Sequence, residues 1–148
     1  MELLVVGYND SPAAQAARRW AIHYARDRDV EIRLVYVVSS LAEWELAAIQ
    51  VNTDPMRHEL DQRLRGEWSQ PLRDAGVHYE AQLLTGRPTE ELMHYARRER
   101  ASLIVVGMSP HGTLAELYFG STTHSLLHHA LRPVVAVPAD WTDPIVAQ

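Results

Sequence analysis

At 148 residues, 47% hydrophobic and 22% charged, the chain has the length and apolar content for one folded domain over 1–148 and is too apolar for disorder. The formal charge of −5, with all 14 basic residues arginine and none lysine, argues against a nucleic-acid partner and excludes a Walker-type phosphate loop. With no cysteine, disulfides, thiol catalysis and cysteine-held zinc are excluded as well.

The first strand is expected from about Glu2, with Leu3-Leu-Val-Val6 an unbroken apolar run ended by Gly7. That start leaves no space for a leader, and the longest apolar runs are strand-length rather than membrane-spanning, so the expected location is the cytoplasm. Asp10-Ser11-Pro12 supplies a helix start, with Asp10 read as an N-cap carboxylate and Pro12 at the first helical position. Alanines 13, 16, 17 and 21 with Trp20 and Tyr24 give that helix a small-residue face that can lie close on a sheet. Val30 to Val38 reads as a second strand. Residues 39–55, a flap or a helical segment, carry weak signals: Leu41 to Ile49 reads as a short helix and Asn52-Thr-Asp-Pro55 as a turn.

Met56, Leu60, Leu64, Trp68, Leu72 and Ala75 fall on one face of the next helix, which is expected to kink at Pro71 and stop at Gly76. Val77 to Leu84 alternates polar and apolar residues with period two, the pattern of an edge strand. Pro88 opens a third major helix, with Glu90 and Glu91 in its first turn and Arg87 at the cap position. Leu103-Ile-Val-Val106 is again a strand buried on both faces. A loop, a helix over Ser121 to Leu131 and a final strand over Arg132 to Val137 complete the pattern.

Strands alternating with helices imply right-handed crossovers and an α/β fold, a parallel sheet with helices on both faces; a Rossmann-like open sheet of five strands in the order 3-2-1-4-5 is expected. Ligands of such sheets sit beyond the carboxyl ends of the strands where the order reverses, here between the first and fourth strands. The loops at that point are Tyr8 to Ser11 and Met108 to Gly120. The second of these joins a strand end to a helix amino terminus, where unpartnered N–H groups and the helix dipole favour an anion such as phosphate. Gly107 and Gly120 bring the backbone close to a ligand, and Ser121 or Thr122 can cap the helix or donate to a phosphate oxygen.

The spacing Gly107, twelve residues, Gly120-Ser121 resembles the universal stress protein family, whose nucleotide-binding members carry Gly-x-x-Gly-x9-Gly-Ser/Thr between the fourth strand and fourth helix. Val6-Gly7-Tyr8-Asn9-Asp10-Ser11-Pro12, Gly86-Arg87-Pro88 and Arg132-Pro133-Val-Val-Ala-Val137-Pro138 extend the resemblance over nearly the whole chain. It implies an adenine nucleotide, ATP with Mg²⁺ or AMP, contacted by Tyr8 and Asn9 after the first strand and by Val37 or Val38 at the end of the second. Gly107, Pro110, His111, Gly112, Gly120, Ser121, Thr122 and Thr123 then form the phosphate loop. Two positions depart from the family pattern. Asn9 replaces an aspartate and loses its charge, and Pro110 replaces the second glycine and has no N–H to donate.

His124 and His128 stand one helical turn apart, a metal-capable spacing, but they fall opposite the apolar face of their helix without an accompanying carboxylate pattern. No metal site and no catalytic constellation is expected; enzymatic activity, at most, is slow ATP hydrolysis. Two functions follow from the resemblance: a nucleotide-dependent sensor, or a dimeric interaction module whose phosphate site was lost through Asn9 and Pro110. Either way a homodimer is expected through the edge strand Arg132 to Val137, with Trp141 and the tail packing across the interface.

Overall fold

The computed structural model describes residues 1–108 and 129–145. Its sheet is built from β1 (Glu2–Gly7), β2 (Val30–Ser39), β3 (His78–Gly86), β4 (Leu103–Met108) and β5 (Val134–Pro138). All neighbours pair in parallel, in the order β3-β2-β1-β4-β5. The helices are α1 (Pro12–Ala25), α2 (Ser40–Ala48), α3 (Asp54–Arg65), α4 (Gln70–Asp74) and α5 (Pro88–Arg98), with a 3₁₀ turn over Glu67–Ser69 between α3 and α4.

The period of two along β1 divides the core. Leu4, Val6 and Tyr8 face one layer with the α1 alanines, Leu64, Trp68 and Leu72. Val5 faces the other, with Leu92, Tyr95, Ile104 and Val106. Helices therefore cover both faces, as the unbroken apolar runs of β1 and β4 require. The alternating strand β3 lies at a sheet edge, where one side of the ladder is open.

Several boundaries differ from the sequence reading for identifiable reasons. Ser11, not Asp10, caps α1: its side chain accepts the Ala14 N–H at 3.1 Å, whereas Asp10 sits in the left-handed region with φ 62°. The long second helix breaks at Gly66 (φ −96°, ψ −104°) rather than kinking at Pro71, which instead occupies the tolerated first turn of α4. Gly76 stops that segment with φ 69°, as expected. The last strand begins at Val134 because Pro133 has no N–H for the ladder, although its carbonyl still accepts from Ile104 at 3.0 Å.

The tail does not extend away from its own chain. Trp141 packs edge-on against His23 of α1 at 5.6 Å between ring centroids, and its carbonyl accepts from Arg19 at 3.0 Å. Asp143 pairs with Arg26 at 2.5 Å and with His23 at 3.2 Å. Trp141 and Asp143, residues expected at a dimer interface, make these contacts with α1 of their own chain.

Candidate functional site

Beyond the carboxyl ends of β1, β2 and β4, where the strand order reverses, lies a cleft of about 320 Å³. Its floor is Gly7, Tyr8 and Val106, and its far wall is Val37, Val38 and Ser39. Met56 and Leu60 of α3 close one flank, and Pro88 and Leu92 of α5 close the other. The cleft opens because β1 stops early. The β1–β2 register ends at Gly7 opposite Val35, while β2 continues beside β3 as far as Ser39 opposite Gly86. Val37 and Val38 consequently stand beyond the β1 ladder, at the cleft. A mostly apolar lining with a few polar groups is the usual make-up of a small-molecule site.

The turn leaving β1 is tied by its own side chains. Asn9 accepts the Ser11 N–H on its Oδ1 at 3.0 Å, an Asx turn that leads into the α1 cap. The Tyr8 hydroxyl donates to Asp10 Oδ1 at 2.7 Å and accepts from Arg18 Nη1 at 2.8 Å. Arg18 Nη1 also donates to the Trp68 carbonyl at 2.7 Å. Burial, reinforced by the Asp10 carboxylate, holds the Tyr8 phenol well above its usual pKa, so it remains a donor throughout the physiological range. Tyr36, which also lines the cleft, stacks on Trp68 at 5.5 Å, and Tyr8 meets the same indole at 5.7 Å.

The fold therefore brings Tyr8, Asn9, Val37 and Val38 to one cleft. Gly107 does not line it: a Cβ there would stand 2.7 Å from the Cβ of Ala13, so the absent side chain serves the packing of β4 against α1. Pro110, His111, Gly112, Gly120, Ser121, Thr122 and Thr123 lie outside the described residues, as do His124 and His128. Met56, Leu60, Pro88 and Leu92 were not anticipated as site residues. Their helical spacing marks a buried face but does not distinguish core from cleft wall. Among the described residues, no group of three or more His, Asp or Glu is placed to hold a metal ion, and no helix is long and apolar enough to cross a membrane.

The model of the universal stress protein family matches residues 1–138. The chain belongs to this family. It is 31% identical over 140 residues to the universal stress protein Rv2623 of Mycobacterium tuberculosis, covering 90% of this chain and 46% of that protein. It thus spans about half the length of that relative. The sheet is similar to that of the Archaeoglobus fulgidus universal stress protein solved in complex with dAMP, with a TM-score of 0.67, 22% identity and coverage of 93% of this chain and 97% of that one. An Arabidopsis thaliana universal stress protein family member with AMP bound superimposes with a TM-score of 0.64 at 20% identity, covering 100% of both chains. At these identities the likeness establishes the fold alone.

Proposed function

We propose that this universal stress protein binds an adenine nucleotide in the cleft between β1, β2 and β4 and acts as a ligand-dependent sensor or interaction module rather than as a catalyst. The observation that carries the reading is the cleft itself, with Tyr8 and Asn9 on one side and Val37 and Val38 on the other. The nucleotides bound by the archaeal and plant relatives support it. In this reading the base lies between the apolar flanks, backbone groups near Val37 and Val38 meet its edge, and the ribose lies toward Asn9. The phosphates extend to Gly107, Pro110, His111, Gly112, Gly120, Ser121, Thr122 and Thr123. One domain over 1–148 works in the cytoplasm as a homodimer, using the outer edge of β5.

Because Pro110 has no N–H to donate to a phosphate, the favoured ligand is AMP rather than ATP with Mg²⁺. Loss of one hydrogen bond to a charged group costs about 1.5–3 kcal/mol, roughly one to two powers of ten in affinity. Calorimetric titration of nucleotide-stripped protein with AMP and with ATP plus Mg²⁺ tests this, repeated on Asn9→Asp and Pro110→Gly. The expected result is AMP binding by the parent and improved ATP binding by Pro110→Gly. A parent and both variants that bind neither nucleotide would overturn the reading. The interaction module with a lost phosphate site is the second reading, favoured by the use of the Asn9 carbonyl oxygen on the Ser11 N–H. Recovery of binding only in the variants would select it.

A further inference from the structure

Asp10 occupies a conformation that its residue type disfavours. Its φ is 62°, and it stands between the cleft residue Asn9 and the α1 cap Ser11. Non-glycine residues hold the left-handed region only when their surroundings fix them. Here the Tyr8 hydroxyl donates to Asp10 Oδ1 at 2.7 Å, while Gln15 Nε2 donates to the same oxygen at 3.3 Å and to the Asp10 carbonyl at 3.4 Å. The Tyr8 hydroxyl is itself oriented, since Arg18 donates to it at 2.8 Å while holding the Trp68 carbonyl at 2.7 Å. Tyr8 is 3% exposed and the Arg18 guanidinium lies 5.0 Å over its ring. The chain from α1 through Tyr8 to Asp10 therefore ends on the residue next to Asn9.

We propose that Asp10 is a positioning residue: clamped by Gln15 and by the Tyr8 hydroxyl that Arg18 orients, it holds the turn that presents Asn9 at the mouth of the cleft. The carboxylate is drawn back onto the Tyr8 hydroxyl, so its role in ligand binding is to preorganise the turn rather than to contact the ligand. An N-cap role for the carboxylate is filled instead by Ser11. The consequence for affinity rests on the nucleotide reading above; the consequence for the Asn9 turn does not.

Three substitutions separate positioning from stability. Asp10→Gly keeps the left-handed backbone and removes the acceptor. Asp10→Asn keeps both a left-handed tolerance and an acceptor oxygen, while removing the charge. Tyr8→Phe removes the donor. The first readout is the Ser11 amide in the nucleotide-free protein, followed by ¹⁵N–¹H NMR, because its N–H is bonded to Asn9 Oδ1. The second is AMP affinity by calorimetry. The Ser11 amide is expected to shift in Tyr8→Phe, the variant that leaves its sequence neighbour Asp10 unchanged. AMP affinity is expected to fall on the order of threefold to tenfold in Asp10→Gly and in Tyr8→Phe, with the variant carrying both no weaker than either alone. The melting temperature of Asp10→Gly should stay close to the parent's, since relief of the disfavoured φ offsets the flexibility of glycine. An unmoved Ser11 amide in Tyr8→Phe, or affinity losses that add in the double variant, would overturn the proposal. A shifted amide in a protein that binds no AMP would overturn the nucleotide reading and leave the positioning network standing.

Discussion

Gly107 and Ala13 meet with no space for a methyl group between them. A Cβ on Gly107 would stand 2.7 Å from the Ala13 Cβ and nearer still to the Ala13 carbonyl. Because the obstacle is helix backbone rather than a movable side-chain end, the strain must be relieved by displacing α1 from β4. Gly107→Ala is expected to destabilise the protein by about 2–3 kcal/mol, a fall of roughly 5–10 °C in melting temperature for a chain of this size. Thermal unfolding followed by far-UV circular dichroism checks this. A melting temperature within a degree of the parent's would show that α1 yields freely.

The break between α3 and α4 gives opposite expectations for two residues that both disfavour helix. Pro71 lies in the first turn of α4, where its missing N–H has no intrahelical acceptor to lose. Pro71→Ala should change stability by less than about 1 kcal/mol. At Gly66 a Cβ would stand 2.9 Å from the Gln62 carbonyl oxygen, which also accepts the Gly66 N–H at 2.9 Å. Gly66→Ala should cost about 1–3 kcal/mol, through strain at this crowded turn. Urea denaturation of the two variants side by side gives the comparison. A larger loss at Pro71 than at Gly66 would restore the kinked-helix reading.

These two positions also show how far the residues alone lead. The buried runs at Leu3 to Val6 and Leu103 to Val106 mark interior strands and the alternation over His78 to Leu83 marks an edge strand, which is where β1, β4 and β3 lie in the sheet. Local signals that admit two explanations misled. Asp10 and Ser11 are both good caps, and the Tyr8 hydroxyl and Gln15, both bonded to the Asp10 carboxylate, draw it aside and leave the cap to Ser11. Met56 and Leu60 have the spacing of a core face, and their place on a cleft wall depends on how far α3 overhangs β2. The contact of Trp141 with the His23 ring joins residues more than a hundred apart in sequence, and no local pattern encodes it.

Enlarging a cleft wall tests whether the cleft is the binding site. Met56 is partly exposed in the first turns of α3 and faces the cleft beside Leu60. Met56→Trp would place an indole in a space of about 320 Å³ without removing a fully buried core contact. AMP affinity is expected to fall by at least about tenfold, while stability changes by less than about 1 kcal/mol. Calorimetry and denaturation on the same preparation separate the two. Unchanged AMP binding would place the nucleotide elsewhere.

The tail supplies a pH dependence whose sign follows from one carboxylate. Burial opposes the charge on Asp143, but the Ile145 N–H at 2.9 Å, the Arg26 guanidinium and His23 outweigh it and hold its pKa below the usual carboxylate value. A group whose pKa is lower folded than unfolded contributes stability above its unfolded value of about 4 and loses it as pH falls through the folded value. The Asp143 contribution should therefore be complete at neutral pH and begin to fade near pH 4, before it is lost at more acid pH. The indole N–H resonance of Trp141, whose ring meets His23, should shift over that acid range. In Asp143→Asn the resonance should be displaced already at neutral pH, because the amide keeps an acceptor but loses the charge that holds Arg26. A Trp141 resonance that moves identically in parent and variant would mean that Asp143 does not control the tail, and that the His23–Trp141 and Arg19–Trp141 contacts suffice to hold it on α1.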